Sequence, residues 1–245
     1  MMRLLAINPN TSHDMTAKVA RAAEAVLGNG FKVDAVSGRF GPRYIASRAA
    51  YAIAGHAALD AYAAHGAGAD VVLLACFGDP GLDAIREVAP APVIGLVEAS
   101  AREAGAGGRR YAIVTGGVLW ESMLRETLEQ KRLDGGLCVI RTVAPDGGMI
   151  ARDPEGALKV LGEACDSCAR EFGAEAVILG GVGLIGLAER LQQGRAYPII
   201  CSVMAGLRAV AAAAVASAKF SPPDVRPVDS IGLSPELAAL LHQTN

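Results

Sequence analysis

A thiol at the carboxyl end of a buried strand suits proton transfer at carbon or nucleophilic attack, and the chain places one at Cys76. Cys76 lies within Val71-Val72-Leu73-Leu74-Ala75-Cys76-Phe77-Gly78-Asp79-Pro80. A continuous apolar run ended by turn residues reads as a parallel strand buried on both faces. Ligands of open α/β sheets bind outside the carboxyl ends of such strands. A second stretch, Glu175-Ala176-Val177-Ile178-Leu179-Gly180-Gly181-Val182-Gly183, has the same form, with Gly181 where the first has Cys76. The pair is asymmetric: a sulfur in one half, bare backbone in the other.

Other polar groups follow strand ends. Asn8-Pro9-Asn10-Thr11-Ser12 leads from a first strand into a helix. Thr11 or Ser12 is placed to cap that helix, leaving N–H groups for an anionic or carbonyl ligand; the plainer reading is a capped turn. Thr115-Gly116-Gly117 stands at the corresponding place in the second half. Arg39-Phe40-Gly41-Pro42-Arg43-Tyr44-Ile45 reads either as a lid or as a solvated surface loop, and His56 and His65 fall on a helical pattern and receive no role. Cys165-Asp-Ser-Cys168 has metal-site spacing, but it lies in a helical pattern and lacks a second cysteine pair. It is read as structural, Cys138 as core, and no metal is expected.

The elements that must carry these groups alternate between strand and helix. Strands are expected at residues 3–7, 32–37, 71–76, 93–96, 111–115, 137–143, 176–179 and 198–201. Helices are expected at 13–27, 47–65, 81–89, 97–104, 120–131, 154–172, 185–193 and 203–219, with Tyr51, Ile53, Leu59 and Tyr62 on one buried face of the second. Ser221-Pro222-Pro223 should break the long helix, and residues 233–241 should form a terminal helix capped by Ser234, packed back on the first half. Both halves run strand, polar or Gly loop, helix, strand, helix, strand, a pattern that suggests internal duplication. The expected fold is α/β: two pseudo-symmetric doubly wound domains with parallel sheets, residues 1–97 plus 206–245 and residues 98–205.

Composition narrows the function. The 245 residues are 52% hydrophobic with a formal charge of −2, which supplies no basic field for nucleic acid. The most apolar segment, 201–218, is interrupted by Arg208 and reads as a buried helix rather than a membrane span. The amino terminus enters a strand without a signal-peptide pattern, and five cysteines is an odd count, so a cytoplasmic chain with reduced thiols is expected.

Asn8-Pro9-Asn10-Thr11-Ser12, Ala75-Cys76-Phe77-Gly78-Asp79-Pro80-Gly81-Leu82, Thr115-Gly116-Gly117 with Trp120, and Val177-Ile178-Leu179-Gly180-Gly181 together resemble the hydantoin racemase branch of the aspartate/glutamate racemase superfamily. The likeness runs in order over nearly the whole chain. It implies an active site in the cleft between two α/β domains, cofactor-independent chemistry, a small-molecule substrate and a homo-oligomer. In that family one cysteine from each domain flanks an acidic carbon; one takes a proton and the other returns one to the opposite face. The resemblance assigns the acid/base role to Cys76, whose pKa nearby N–H groups would lower. Substrate binding falls to Asn10, Thr11, Ser12, Phe77, Gly78, Thr115, Gly116 and Gly117, with Gly181 and Val182 opposite.

The second family cysteine corresponds to Gly181, which has no proton to give. Four readings follow. The chain is a racemase or isomerase of hydantoin-like or amino-acid-like substrates, with Cys201 as a candidate second acid/base. It is a single-cysteine decarboxylase, like the arylmalonate decarboxylases, protonating an enolate from Cys76. It uses Cys76 as a nucleophile, as maleate isomerases do. Or it is an impaired relative that binds a small carboxylate. The first is the expected activity.

Overall fold

A computed structural model describes residues 1–143, 153–216, 227 and 229–242. Contacts divide them into two compact units, the described parts of 1–75, 79–95 and 207–245, and those of 76–78 and 96–206.

The first unit contains β1 (Met2–Asn8), α1 (His13–Leu27), β2 (Phe31–Ser37), α2 (Arg48–His65), β3 (Val71–Leu74), α3 (Leu82–Val88) and β4 (Val93–Gly95). The second contains α4 (Leu96–Ala104), β5 (Tyr111–Gly116), α5 (Trp120–Gln130), β6 (Leu137–Val143), α6 (Pro154–Phe172), β7 (Ala176–Gly180), α7 (Leu187–Gln192) and β8 (Ile199–Cys201). Helix α8 (Ser202–Ala216) then carries the chain back, and α9 (Pro235–Leu241) belongs to the first unit. The break expected at Ser221-Pro222-Pro223 lies outside the described residues.

All pairings are parallel, in the orders β2-β1-β3-β4 and β6-β5-β7-β8. The two orders coincide once the second sheet is counted from its own first strand, matching the repeated layout of the sequence. Helices cover both faces of the inner strands, so β3 and β7 are unbroken apolar runs with every residue buried. In each sheet the chain leaves the first strand toward one side and returns on the other, so the carboxyl ends of β1 and β3, and of β5 and β7, flank a switch point.

Three packing expectations change. Ile53 is exposed; the buried face of α2 is Ala54, Ala57, Ala58, Asp60, Ala61 and Tyr62, because alanines let the helix lie close to the sheet. Cys138 is only half-buried, since β6 is an edge strand. The helix expected at 185–193 is shortened to Leu187–Gln192: after a 3-10 turn at Val182–Leu184, Gly186 at φ +86° caps the start of α7.

Cys165 and Cys168 on α6 are fully buried, and burial pushes their thiols up to about 12 and about 11. They behave as small apolar side chains, and no cluster of metal-ligating side chains occurs among the described residues. The terminal helix packs on α2, as expected: Ser234 Oγ accepts from Leu237 N–H at 3.2 Å and donates to Asp60 at 2.6 Å. Arg39 grips the same carboxylate with two bonds of 2.8 Å and reaches Glu236 at 3.3 Å. With Ile45 buried and Phe40 edge-on to His56, the 39–45 segment is anchored at both ends, while Arg39, Phe40, Gly41 and Arg43 are exposed, as in a surface loop. No helix among the described residues is long and apolar enough to cross a membrane.

Candidate active site

In the first unit the loop after β1 is built around Asn8, only 2% exposed. Its Nδ2 lies 2.8 Å from Asn10 Oδ1, 3.1 Å from the Ser12 carbonyl and 3.0 Å from Thr16 Oγ1. Asn10 Oδ1 also accepts from Ser12 N–H at 2.8 Å. Thr16 continues the network to Ser37 at 2.6 Å, and Ser37 to His13 at 3.2 Å. From the other side, Gly38 N–H is shared between the carbonyls of Asn8 and Asn10, and Thr11 N–H donates to the Pro42 carbonyl. Ser12 occupies the N-cap of α1, but its hydroxyl makes no capping bond. The first turn instead donates to its carbonyl, from Met15 and Thr16. The capping expectation is therefore right in position and wrong in chemistry.

Strand β3 ends at Leu74; Ala75 N–H makes a last bond to the Ile7 carbonyl at 2.8 Å before the chain turns. Beyond the turn, Asp79 is buried at φ +54°, a conformation Asp tolerates better than most side chains. Its carboxylate occupies the space that a Cβ on Gly95 would need. Gly81, at φ +82°, lies so close to α2 that a Cβ there would stand 2.7 Å from the Gly55 carbonyl oxygen. Two glycines thus let the turn seat directly on the helix.

Cys76–Gly78 belongs to the second unit. Cys76 is 9% exposed, and Gly78 N–H closes back on its carbonyl at 3.0 Å. Phe77, also buried, lays its ring against Gly180, the last residue of β7; a Cβ on Gly180 would overlap the ring edge. The ring thereby ties the Cys76 turn to the carboxyl end of β7. Thr115, ending the neighbouring strand, donates its hydroxyl to the Gly180 carbonyl at 2.8 Å, and Gly117 N–H goes to the Val143 carbonyl at 3.3 Å. Thr115 was expected as a donor to substrate, yet its one hydroxyl proton is spent inside the fold, as is the Gly117 N–H. What the Thr115 hydroxyl offers a ligand is lone pairs.

At the next position, Gly181 has φ +128°, and a Cβ there would meet no atom within 4 Å. Its N–H donates to Ser202 Oγ at 3.1 Å, and its carbonyl accepts from Leu184, so Val182 opens the 3-10 turn. Ser202 is fully buried at the start of α8. Cys201 is 3% exposed at the end of β8, in register with the fully buried Leu179. None of the five cysteines is in a disulfide. Asn8, Asp79, Gly180 and Ser202 had no part in the sequence-derived site. Only the Asn-x-Asn-x-Ser spacing carried a signal, since such side chains bond backbone two residues on.

The family model described as Asp/Glu/Hydantoin racemase matches residues 4–210. The hydantoin racemase of Paenarthrobacter aurescens is 33% identical over 211 residues, which cover 84% of this chain and 89% of that protein. Among solved structures, allantoin racemase from Klebsiella pneumoniae superposes with a TM-score of 0.87 at 31% identity, covering 98% of this chain and 99% of that one. Allantoin racemase from Pseudomonas fluorescens gives 0.89 at 25% identity, with 94% and 100% covered.

Proposed function

The chain belongs to the Asp/Glu/hydantoin racemase family and is a racemase, and on that footing we propose that it inverts the carbon acid of a five-membered hydantoin-type ring, with Cys76 as the proton-transferring group. The relatives' substrates support the ring class. The position of Cys76 supports its role: Phe77, seated on Gly180, holds the thiol's turn at the carboxyl end of β7, beside the switch point of that sheet.

The chemistry needs little else. The C5–H of a hydantoin is acidic because the adjoining carbonyl takes up the charge as an enolate. The Cys76 thiolate removes the proton, breaking C–H and forming S–H. The enolate oxygen requires preorganised donors, and the family resemblance assigns one of them to the Asn10 carboxamide. The opposite face receives its proton from solvent water in the open space at Gly181, and the hydroxide left behind recovers a proton from the Cys76 thiol through solvent. No net proton is consumed. Cys201 takes no part.

The experiment is turnover in deuterated water of L-5-methylhydantoin and of one enantiomer of allantoin, followed by optical rotation and by loss of the C5–H resonance. The wild type should erase rotation and exchange C5–H together. Cys76→Ser should abolish both above the uncatalysed rate, and Cys201→Ser should leave both unchanged. Carbon dioxide release from an arylmalonate, without racemisation of either ring, would establish the decarboxylase reading instead. A rise in Tm with ligand but no exchange would establish a binding protein.

A further inference from the structure

We infer that Asn8 decides which edge of the substrate Asn10 reads, by locking the Asn10 carboxamide with its NH2 group turned out of the loop. The inference rests on the proposed substrate class and adds a positioning residue to it.

Two backbone groups of Ser12 determine both amides. The Ser12 carbonyl can only accept, and it lies 3.1 Å from one terminal atom of Asn8, so that atom is Nδ2. The same Nδ2 lies 2.8 Å from a terminal atom of Asn10, which must therefore accept. Ser12 N–H can only donate, and it points at that same Asn10 atom from 2.8 Å. The atom is Oδ1 on both counts. Reversing Asn8 would set its oxygen against a carbonyl and against Asn10 Oδ1; reversing Asn10 would set its NH2 against two donors. Thr16 Oγ1, 3.0 Å from Asn8 Nδ2 and 2.6 Å from Ser37 Oγ, braces Asn8 from α1 and β2. At 2% exposure, Asn8 has no solvent to substitute for these partners.

The remaining end of Asn10 is its NH2 group, for which no described residue is an acceptor, on a residue that is only half-buried. It presents donors. A hydantoin ring carries both carbonyls and N–H groups along its rim, and a locked NH2 meets a carbonyl and rejects a ring N–H. It also faces the kind of oxygen that gains charge as C5–H is lost.

The test uses the full chain as wild type, Asn8→Asp and Asn10→Asp, with 5-methylhydantoin and its 4-thio analogue as paired substrates. Sulfur is the poorer acceptor, so the wild type should favour the oxygen substrate by about tenfold in kcat/KM, the worth of roughly one hydrogen bond. Both variants should lose that preference. A merely structural loss would slow both substrates alike and preserve the ratio, and an Asn8→Asp chain that retains the wild-type ratio overturns the lock. Should Asn8→Asp fail to fold, the wild type carries the test with 5,5-dimethylhydantoin, which has no C5 hydrogen to exchange. On saturation, the Asn10 side-chain amide in a 15N spectrum, assigned by its loss in Asn10→Asp, should move while that of Asn8 stays. An unmoved Asn10 amide with ligand bound overturns the proposal. A chain that neither binds nor turns over any of these hydantoins overturns the substrate class, and the lock's purpose with it.

Discussion

Replacing Gly180 by alanine should test how the Cys76 turn is held. The added Cβ would stand 2.6 Å from Phe77 Cζ and closer still to Cε1 and Cδ1. Carbon atoms rest at about 3.5–4.0 Å, and the nearest ring atom sets the displacement, so the ring must retreat by roughly 1.5 Å. Phe77 is only 5% exposed and has little room to do so. Overpacking of this kind costs about 1–3 kcal/mol, which for a chain of this size lowers Tm by about 2–12 °C. The catalytic penalty should be larger. Cys76, the proposed proton-transferring group, is bonded directly to Phe77, and a reacting group misplaced by about 1 Å loses on the order of 100-fold in rate. Polarimetry on 5-methylhydantoin and allantoin should show that loss in kcat/KM while far-ultraviolet circular dichroism stays native. Adding Phe77→Leu should restore part of the Tm, a non-additivity expected only of residues in contact. A Gly180→Ala chain with wild-type Tm and activity within about threefold of wild type would refute the claim that this contact positions the thiol.

Three further outcomes are expected. Gly181→Ala should lower the urea-denaturation free energy by about 1–3 kcal/mol, because φ +128° is strained for any side chain even though space is open around it. Asp60→Asn should cost about 1–3 kcal/mol at neutral pH, read from urea midpoints. Burial of Asp60 raises its carboxyl, but hydrogen bonds from Arg39 and Ser234, with the Arg39 charge, outweigh it and hold the pKa below the ordinary value. The stability it supplies is therefore present above an unfolded pKa of about 3.9 and is lost as pH falls through the lower folded value, so the gap between wild type and variant should close under acid. Cys165 and Cys168, whose thiols titrate near about 12 and about 11, should resist iodoacetamide at pH 8 in the native chain and react once it is unfolded in urea.

Much of the fold was legible because local signals agreed with the global one. Helix α1 runs over His13–Leu27 and α6 over Pro154–Phe172, with the expected ends. In α6, Asp153 accepts from Gly156 N–H at one end and Gly173 adopts φ +65° at the other. The capping of α9 by Ser234 was readable for the same reason. The site was less legible because its geometry depends on partners distant in sequence. Nothing near Gly180 says that a phenylalanine a hundred positions earlier fills the place of its side chain, or that Ser202 holds the amide of Gly181. Ile53 was misplaced because an apolar pattern cannot tell which stripe of an alanine-rich helix meets the sheet. The Thr115 hydroxyl looked available until its acceptor on the neighbouring strand was located.

The backbone at Gly181 also constrains how the chain can evolve. In the genetic code the two glycine triplets ending in a pyrimidine lie one base change from cysteine, so a second thiol is within reach of a single mutation from either. The fold sets a different distance. At φ +128° the peptide favours a residue without a side chain, and Ser202 holds its N–H in that pose. Placing a sulfur there would require the loop to be remodelled first, so the backbone keeps the position closed to a change that the code leaves open.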